Sequence, residues 1–203
     1  MLRVSPLGGV LLGCAALSLG GCVASTAIGA AATASVAASS EKGAGGTVSD
    51  TVIGADINSR WMDINIDMWR ELGLYVSEGR VLITGKVTKP ELRVAAVKAA
   101  WGVNGVKEVI NEIKVSDEGG PGNYARDAWI SAQLRSRLLF DKQIMSVNYS
   151  IDTVDQVVYL MGIARNQKEL DVVINYARSL SYVKQVVNYV ILRDDPKRKE
   201  RAA

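Results

Sequence analysis

Ile53-Gly54-Ala55-Asp56-Ile57-Asn58-Ser59-Arg60-Trp61 and Ile130-Ser131-Ala132-Gln133-Leu134-Arg135-Ser136-Arg137-Leu138 are two versions of one segment, set about 77 residues apart. Ile, Ala, Ser and Arg recur in register, and the larger apolar residues recur every four positions. The same shift places Val81-Leu82-Ile83-Thr84-Gly85 on Val158-Tyr159-Leu160-Met161-Gly162, and Val106-Lys107-Glu108-Val109-Ile110-Asn111 on Val183-Lys184-Gln185-Val186-Val187-Asn188. Three matches at one offset identify an internal duplication. In between, the offset slips by one, so that Pro90-Glu91-Leu92 faces Lys168-Glu169-Leu170.

Each copy reads as helix, strand, strand, helix, strand. Ile53, Ile57 and Trp61, or Ile130, Leu134 and Leu138, form the apolar stripe of a first helix. Leu72, Leu74 and Val76, then Val81, Ile83 and Val87, alternate as two strands joined by Ser77-Glu78-Gly79, and Asp152 to Gln156 is expected to form the matching turn. A second helix opens at Thr88-Lys89-Pro90-Glu91 or Asn166-Gln167-Lys168-Glu169, where a small polar residue is expected to cap and Glu to reach back. Its buried stripe is Leu92, Ala95, Ala96 and Ala99, matched by Leu170, Val173, Ile174 and Ala177. The last strand runs Val109, Asn111, Ile113, Val115, matched by Val186, Asn188, Val190, Leu192. The strand from Tyr182 to Leu192 is apolar on both faces, as expected if packing between the copies covers it twice. Trp61 and Trp101 fall on helical core positions, whereas Trp69 has no clear place.

Outside the repeats the chain changes character. Met1 to Gly21 has Arg3, an apolar run through Leu19, and small residues before Cys22, the layout of a secretory signal. Leu19-Gly20-Gly21-Cys22 resembles the lipobox of bacterial lipoproteins, and is favoured over Leu11-Leu12-Gly13-Cys14 because Pro6 shortens the apolar run before the latter. Residues 23 to 40 are mostly Ala, Ser, Thr and Gly, too little apolar for a spanning helix, so the membrane link is read as lipid on Cys22. The tract up to Val48, ending Gly43-Ala44-Gly45-Gly46, reads as a tether with a span on the order of 25 to 30 Å. With Cys14 removed, Cys22 is the one thiol left, which excludes a disulfide framework. The 203-residue chain has no histidine, which removes the commonest general base and metal ligand, and no cofactor is expected. Its net charge of +3 is too slight to predict nucleic-acid binding.

The strands closing on Gly85 and Gly162, the helices opened by Glu91-Leu92 and Glu169-Leu170, and the closing Val-Lys-x-Val-x-Asn resemble the BON domain over residues 50 to 193. The fold implied is α+β: two tandem BON domains, residues 49–117 and 124–193, each a small mixed three-stranded sheet packed against two helices. A signal segment (1–21) and a lipidated linker (22–48) precede them and a charged tail (194–203) follows. Two copies behind a lipobox resemble dual-BON outer-membrane lipoproteins. The resemblance implies a non-enzymatic, periplasm-facing protein that supports envelope integrity, its second domain binding anionic phospholipid.

Asp127 to Leu139 meets the family pattern Asp-x-Trp-Ile-x-x-x-Leu-Arg-Ser-x-Leu-Leu, which implies that this helix makes the lipid contact. Trp129 lies one residue off the core stripe and shares a face with Gln133 and Ser136. It either meets a membrane interface or packs on the other domain. Arg126, Arg135 and Arg137 are nearby candidates for phosphate, so the lipid-binding set is Trp129, Arg126, Gln133 and Arg137. Gln156 departs from the family's hairpin glycine, and a longer turn is expected there. The basic tail Lys197-Arg198-Lys199-Glu200-Arg201 reads as solvated, with attraction to anionic lipid as the other use. Asp63, Asp67, Asp152, Asp155 and Asp171 form no recurring close pair of the kind a carboxylate hydrolase needs. A periplasmic scaffold binding an envelope protein partner through Trp129 is the alternative function. No small-molecule substrate is expected.

Overall fold

The computed structural model describes residues 41–116, 121–196 and Arg198. The signal segment, Cys14, Cys22 and most of the tether and charged tail lie outside the described residues. The first domain runs α1 (Gly43–Ile64), α2 (Ile66–Glu71), β1 (Leu72–Ser77), β2 (Arg80–Val87), α3 (Pro90–Trp101), β3 (Glu108–Asn111) and β4 (Lys114–Val115). The second runs α4 (Pro121–Phe140), a short 3-10 turn, β5 (Tyr149–Val154), β6 (Val157–Ala164), α5 (Gln167–Arg178) and β7 (Gln185–Leu192). In each, an antiparallel hairpin is extended by a parallel strand beside its second member: β1-β2-β3, with β4 also on β2, and β5-β6-β7. No helix among the described residues is long and apolar enough to cross a membrane.

The helical stripes expected from periodicity form the two cores. Ile53, Ile57 and Trp61 join Val81, Ile83, Ala96 and Ala99, while Ile130, Leu134 and Leu138 join Val158, Leu160, Leu170, Val173 and Ala177. Trp61 is fully buried, and its indole N–H donates to Ala96 O at 3.1 Å. Trp101 is not a core residue: it is exposed, on the same outward face of α3 as exposed Val94, about 180° round the helix from Leu92. Trp69, in the short α2, is also exposed.

The duplication extends to polar groups that periodicity does not report. Asp50 accepts from the amides of Glu78 and Gly79 at 2.9 and 3.0 Å; Asp127 accepts from Asp155 and Gln156 at 2.7 and 2.8 Å. In both copies a carboxylate from the first helix thus holds the tip of the hairpin. Gly85 and Gly162, at φ +102° and +142°, lie against backbone, where a Cβ would sit 2.2 Å from Glu71 O and 1.9 Å from Asn148 O.

Asn111 and Asn188 each accept from the amide two residues on, at 3.1 and 3.0 Å. These amides point away from the sheet, because Glu112 and Arg193, of the opposite parity in their strands, donate inward to Ile83 O and Ala164 O. Lys42 Nζ donates to Val76 O at 2.9 Å, and Arg135 Nη2 to Ile151 O at 2.6 Å, on the other outer strands.

Four local expectations change. The Gly43–Gly46 run is not tether but the start of α1, docked where Lys42 pairs with Asp50 at 2.9 Å. Thr88 does not cap α3: Lys89 holds the cap position without a side-chain bond, and Pro90, which has no amide hydrogen to satisfy, begins the helix. In the second domain Asn166 does cap, accepting from Glu169 N at 3.0 Å, but the Glu169 carboxylate turns inward to Tyr149 OH and Arg165 rather than back to the helix start. The second hairpin is not longer: β5 continues to Val154, and Asp155-Gln156 form a two-residue turn with φ +53° and +68°, like Glu78-Gly79.

The exposed faces of the two sheets meet. Leu82, Val154, Tyr159 and Met161 are buried together, flanked by Tyr75, Ile110, Val157, Val187 and Tyr189. Strand β7 is therefore covered twice, as its two apolar faces predict: Val190 lies in the domain core, Val187 and Tyr189 in the seam. Polar links border the seam. Arg80 donates to Tyr189 O at 3.0 Å, Thr84 to Asp152, and Lys86 and Lys114 to Asp155. Burial, followed by the nearby Glu112, pushes the Tyr159 hydroxyl up to about 12.

Two measurements check this framework. Replacing Asp127 by Ala leaves the hairpin-tip amides without their acceptor and is expected to lower unfolding free energy by about 2 kcal/mol in a urea titration. An unchanged midpoint would contradict that role. Burial works to raise the Asp155 carboxyl, but hydrogen bonds from Lys86 and Lys114 outweigh it and hold its pKa below the ordinary value. Its contribution is thus present above the unfolded carboxylate pKa near 4 and lost as pH falls through the lower folded one. The stability gap between the parent and Asp155→Asn is expected in full at pH 7 and should shrink as the pH falls below the unfolded carboxylate value.

Candidate functional site: the outer face of α4

Helix α4 presents three faces. Ile130, Leu134 and Leu138 enter the core; Tyr124, Ala128, Ser131 and Arg135 border a cleft against the first domain; Arg126, Trp129, Gln133, Arg137 and Phe140 run along the outside at spacings of 3, 4, 4 and 3. From Trp129 to Phe140 that outer row extends about 16 Å. Trp129 is 43% exposed and Phe140 80%.

The ring contact of Trp129 is made within its own domain. Its ring meets Tyr182, from the loop between α5 and β7, edge-on at 6.0 Å and 74°. The Arg126 guanidinium lies over the same tyrosine ring, 5.3 Å from its centre, so the three side chains form one exposed cluster of two rings and a cation. Gln133 continues the face and is exposed.

The other expected cations divide. Arg137 is on the outer row, but Nη1 donates to Ser179 Oγ at 2.7 Å, tying α4 to the end of α5. In the first domain Arg60 holds the equivalent place, its guanidinium lying against Gly102 at the end of α3. Arg135 is separated from Arg126 altogether: it turns to the cleft side and to Ile151 O. Within the tail, Arg198 is a brace, bonded to the Glu78 carboxylate at 2.9 Å, Glu41 O at 2.7 Å and Arg193 O at 3.0 Å. The remaining tail positions, Lys197, Lys199, Glu200 and Arg201, lie outside the described residues, as does the expected lipidation site Cys22.

Sequence reasoning missed Tyr182 and Phe140. Phe140, the only phenylalanine of the chain, could have been found by extending the outer row one step beyond Arg137. Tyr182 comes from a separate loop, and no periodicity links it to Trp129.

The first domain supplies an internal control. Trp129, Gln133, Arg137 and Phe140 correspond to Val52, Asp56, Arg60 and Asp63, and Tyr182 to Gly105. With the same fold and the same helix, the first copy carries no aromatic cluster there. The difference reaches the backbone. Gly79 and Gly105 have φ +77° and +89°, and the second copy places Gln156 and Tyr182 at these left-handed positions, at φ +68° and +71°. A side chain in that region costs about 1–2 kcal/mol relative to glycine.

The cleft between the domains, about 720 Å³, holds Asp127, Asp152 and Asp155. All three are engaged: Asp127 by hairpin amides, Asp152 by Thr84, Asp155 by two lysines that favour its ionised form. Such an Asp155 is a poor general acid, which needs a raised pKa.

The BON domain family matches residues 70–117 and 126–194. An uncharacterized protein from the gshII 5′ region of Anaplasma centrale is 52% identical over 119 residues, covering 58% of this chain and 79% of that protein. The outer membrane lipoprotein DolP of Haemophilus influenzae is 29% identical over 189 residues, 92% of this chain and 96% of its own. Osmotically-inducible protein Y of Escherichia coli is 28% identical over 146 residues, covering 71% and 73%. Two copies of the α-β-β-α-β unit, each overlapping a family match and joined sheet to sheet, make this chain a tandem member of the BON domain family.

Proposed function

We propose that this chain is a non-enzymatic envelope lipoprotein, anchored through Cys22 at the periplasmic surface of the outer membrane, whose second domain binds anionic phospholipid through the outer face of α4 and so helps maintain envelope integrity. The observation that carries the reading is the exposed Trp129–Tyr182–Arg126 cluster, on a helix whose counterpart in the first domain has none. A half-exposed indole fits the headgroup level of a bilayer, and a guanidinium beside it offers donors to phosphate. Similarity to an outer membrane lipoprotein over 92% of the chain supports the location.

Residues 41–203 are the fragment to use, because Lys42 and the start of α1 belong to the folded part. This fragment is expected to co-sediment with phosphatidylglycerol vesicles and not with phosphatidylcholine vesicles. Trp129→Ala should weaken that binding about tenfold, a loss of roughly 1.4 kcal/mol. Failure to bind either vesicle overturns the lipid reading, and saturable capture of an envelope protein without membrane would put the scaffold reading in its place. In cells, metabolic palmitate labelling should disappear in Cys22→Ser and persist in Cys14→Ser; the reverse pattern would move the anchor.

A further inference from the structure

Two glycines of the first domain are replaced in the second at positions that keep the left-handed backbone, Gly79 by Gln156 and Gly105 by Tyr182. The two replacements touch. With the Gln156 carboxamide set to satisfy both its ends, its nitrogen donates to Tyr182 O at 3.2 Å and its oxygen accepts from Lys184 Nζ at 3.3 Å. The same hairpin tip is held by Asp127, two residues before Trp129 on α4. Hairpin, loop and helix thus converge on one spot, where Tyr182 is 62% exposed and its ring contacts both Trp129 and Arg126. Backbone strain taken on at two neighbouring positions, beside an exposed aromatic cluster the sister domain lacks, is the pattern of a constraint kept for function.

We infer that Tyr182 is a positioning residue of the lipid-facing surface: braced by Gln156, its ring holds the Arg126 guanidinium and the Trp129 indole as one unit. This rests on the reading of α4 as the lipid contact. With its central carbon 5.3 Å from the centre of the Tyr182 ring, the Arg126 guanidinium is held at the exposed cluster, where its N–H groups can donate to a phosphate oxygen pair. Trp129 alone would give apolar insertion indifferent to headgroup charge, and an untethered Arg126 would sample many rotamers. The fixed pair reads an anionic phosphate at the depth the indole sets.

The test is a double-mutant cycle on residues 41–203, which contain both cores and the seam between them. Tyr182→Asn removes the ring while keeping a residue that tolerates the left-handed backbone, and circular dichroism melts verify the fold. Tyr182→Asn and Arg126→Ala should each weaken binding to phosphatidylglycerol vesicles about two- to fivefold, the scale of an exposed cation–π contact. The double variant should be no weaker than the weaker single, and Tyr182→Phe, which keeps the π face, should bind as the parent does. Full binding by Tyr182→Asn, or losses that multiply in the double variant, would overturn the positioning role while leaving the lipid reading intact. A parent fragment that binds no vesicle overturns both.

Discussion

The seam between the two sheets is the contact on which the rest of the molecule depends. A unit of fewer than 80 residues can cover one face of its small sheet with its own helices and has nothing left for the other. Joining the two bare faces buries Leu82, Tyr159 and Met161 among their neighbours, and both sheets become interior. The helices are thereby assigned to the outside. The lip of polar links around the seam, from Arg80 to Tyr189 O and from Lys86 and Lys114 to Asp155, fixes how the sheets cross and hence which side of α4 borders the cleft and which looks away.

Within that frame the duplication has diverged in one direction. What the copies share is what holds the unit together: aspartates that hold hairpin tips, glycines pressed on the preceding backbone, asparagines beside the outward amides, an arginine reaching from the first helix to the end of the second. What they do not share lies around Trp129. The first copy keeps glycine at 79 and 105 and has Val52 and Asp63 along its helix, while the second places Gln156, Tyr182, Trp129 and Phe140 at the same sites. One half is a platform, and the other has been modified at its rim without changing its core.

Most of the fold was legible because apolar periodicity reports which face is buried. The stripes through Ile57 and Leu134, the strand order and the two-sided burial of β7 all follow from spacing. Trp101 was misplaced because it was taken as core although its position faces away from the Leu92–Ala99 stripe, beside exposed Val94. The second hairpin was misjudged because Gln156 has the wrong intrinsic preference for its turn, and tertiary bonds, among them its amide to Asp127, hold it there. Asp50 and Asp127, 77 residues apart in register with the apolar matches, carried a signal that an apolar reading passed over. Of the site, the row from Arg126 to Arg137 was readable as one helix face. The contact with Tyr182 and the diversion of Arg135 were not, since both depend on loops and neighbouring strands meeting in space.

The side chains that take up backbone groups on the outer strands have a collective consequence. Lys42, Asn111, Arg135 and Asn188 between them occupy a carbonyl or an amide on the outer strand at both sides of both sheets. A strand from another molecule approaching any of these borders meets a bond already made, and must break it before pairing. Edge-to-edge pairing between copies is thereby opposed at each border, a form of colloidal tolerance to which four polar residues contribute.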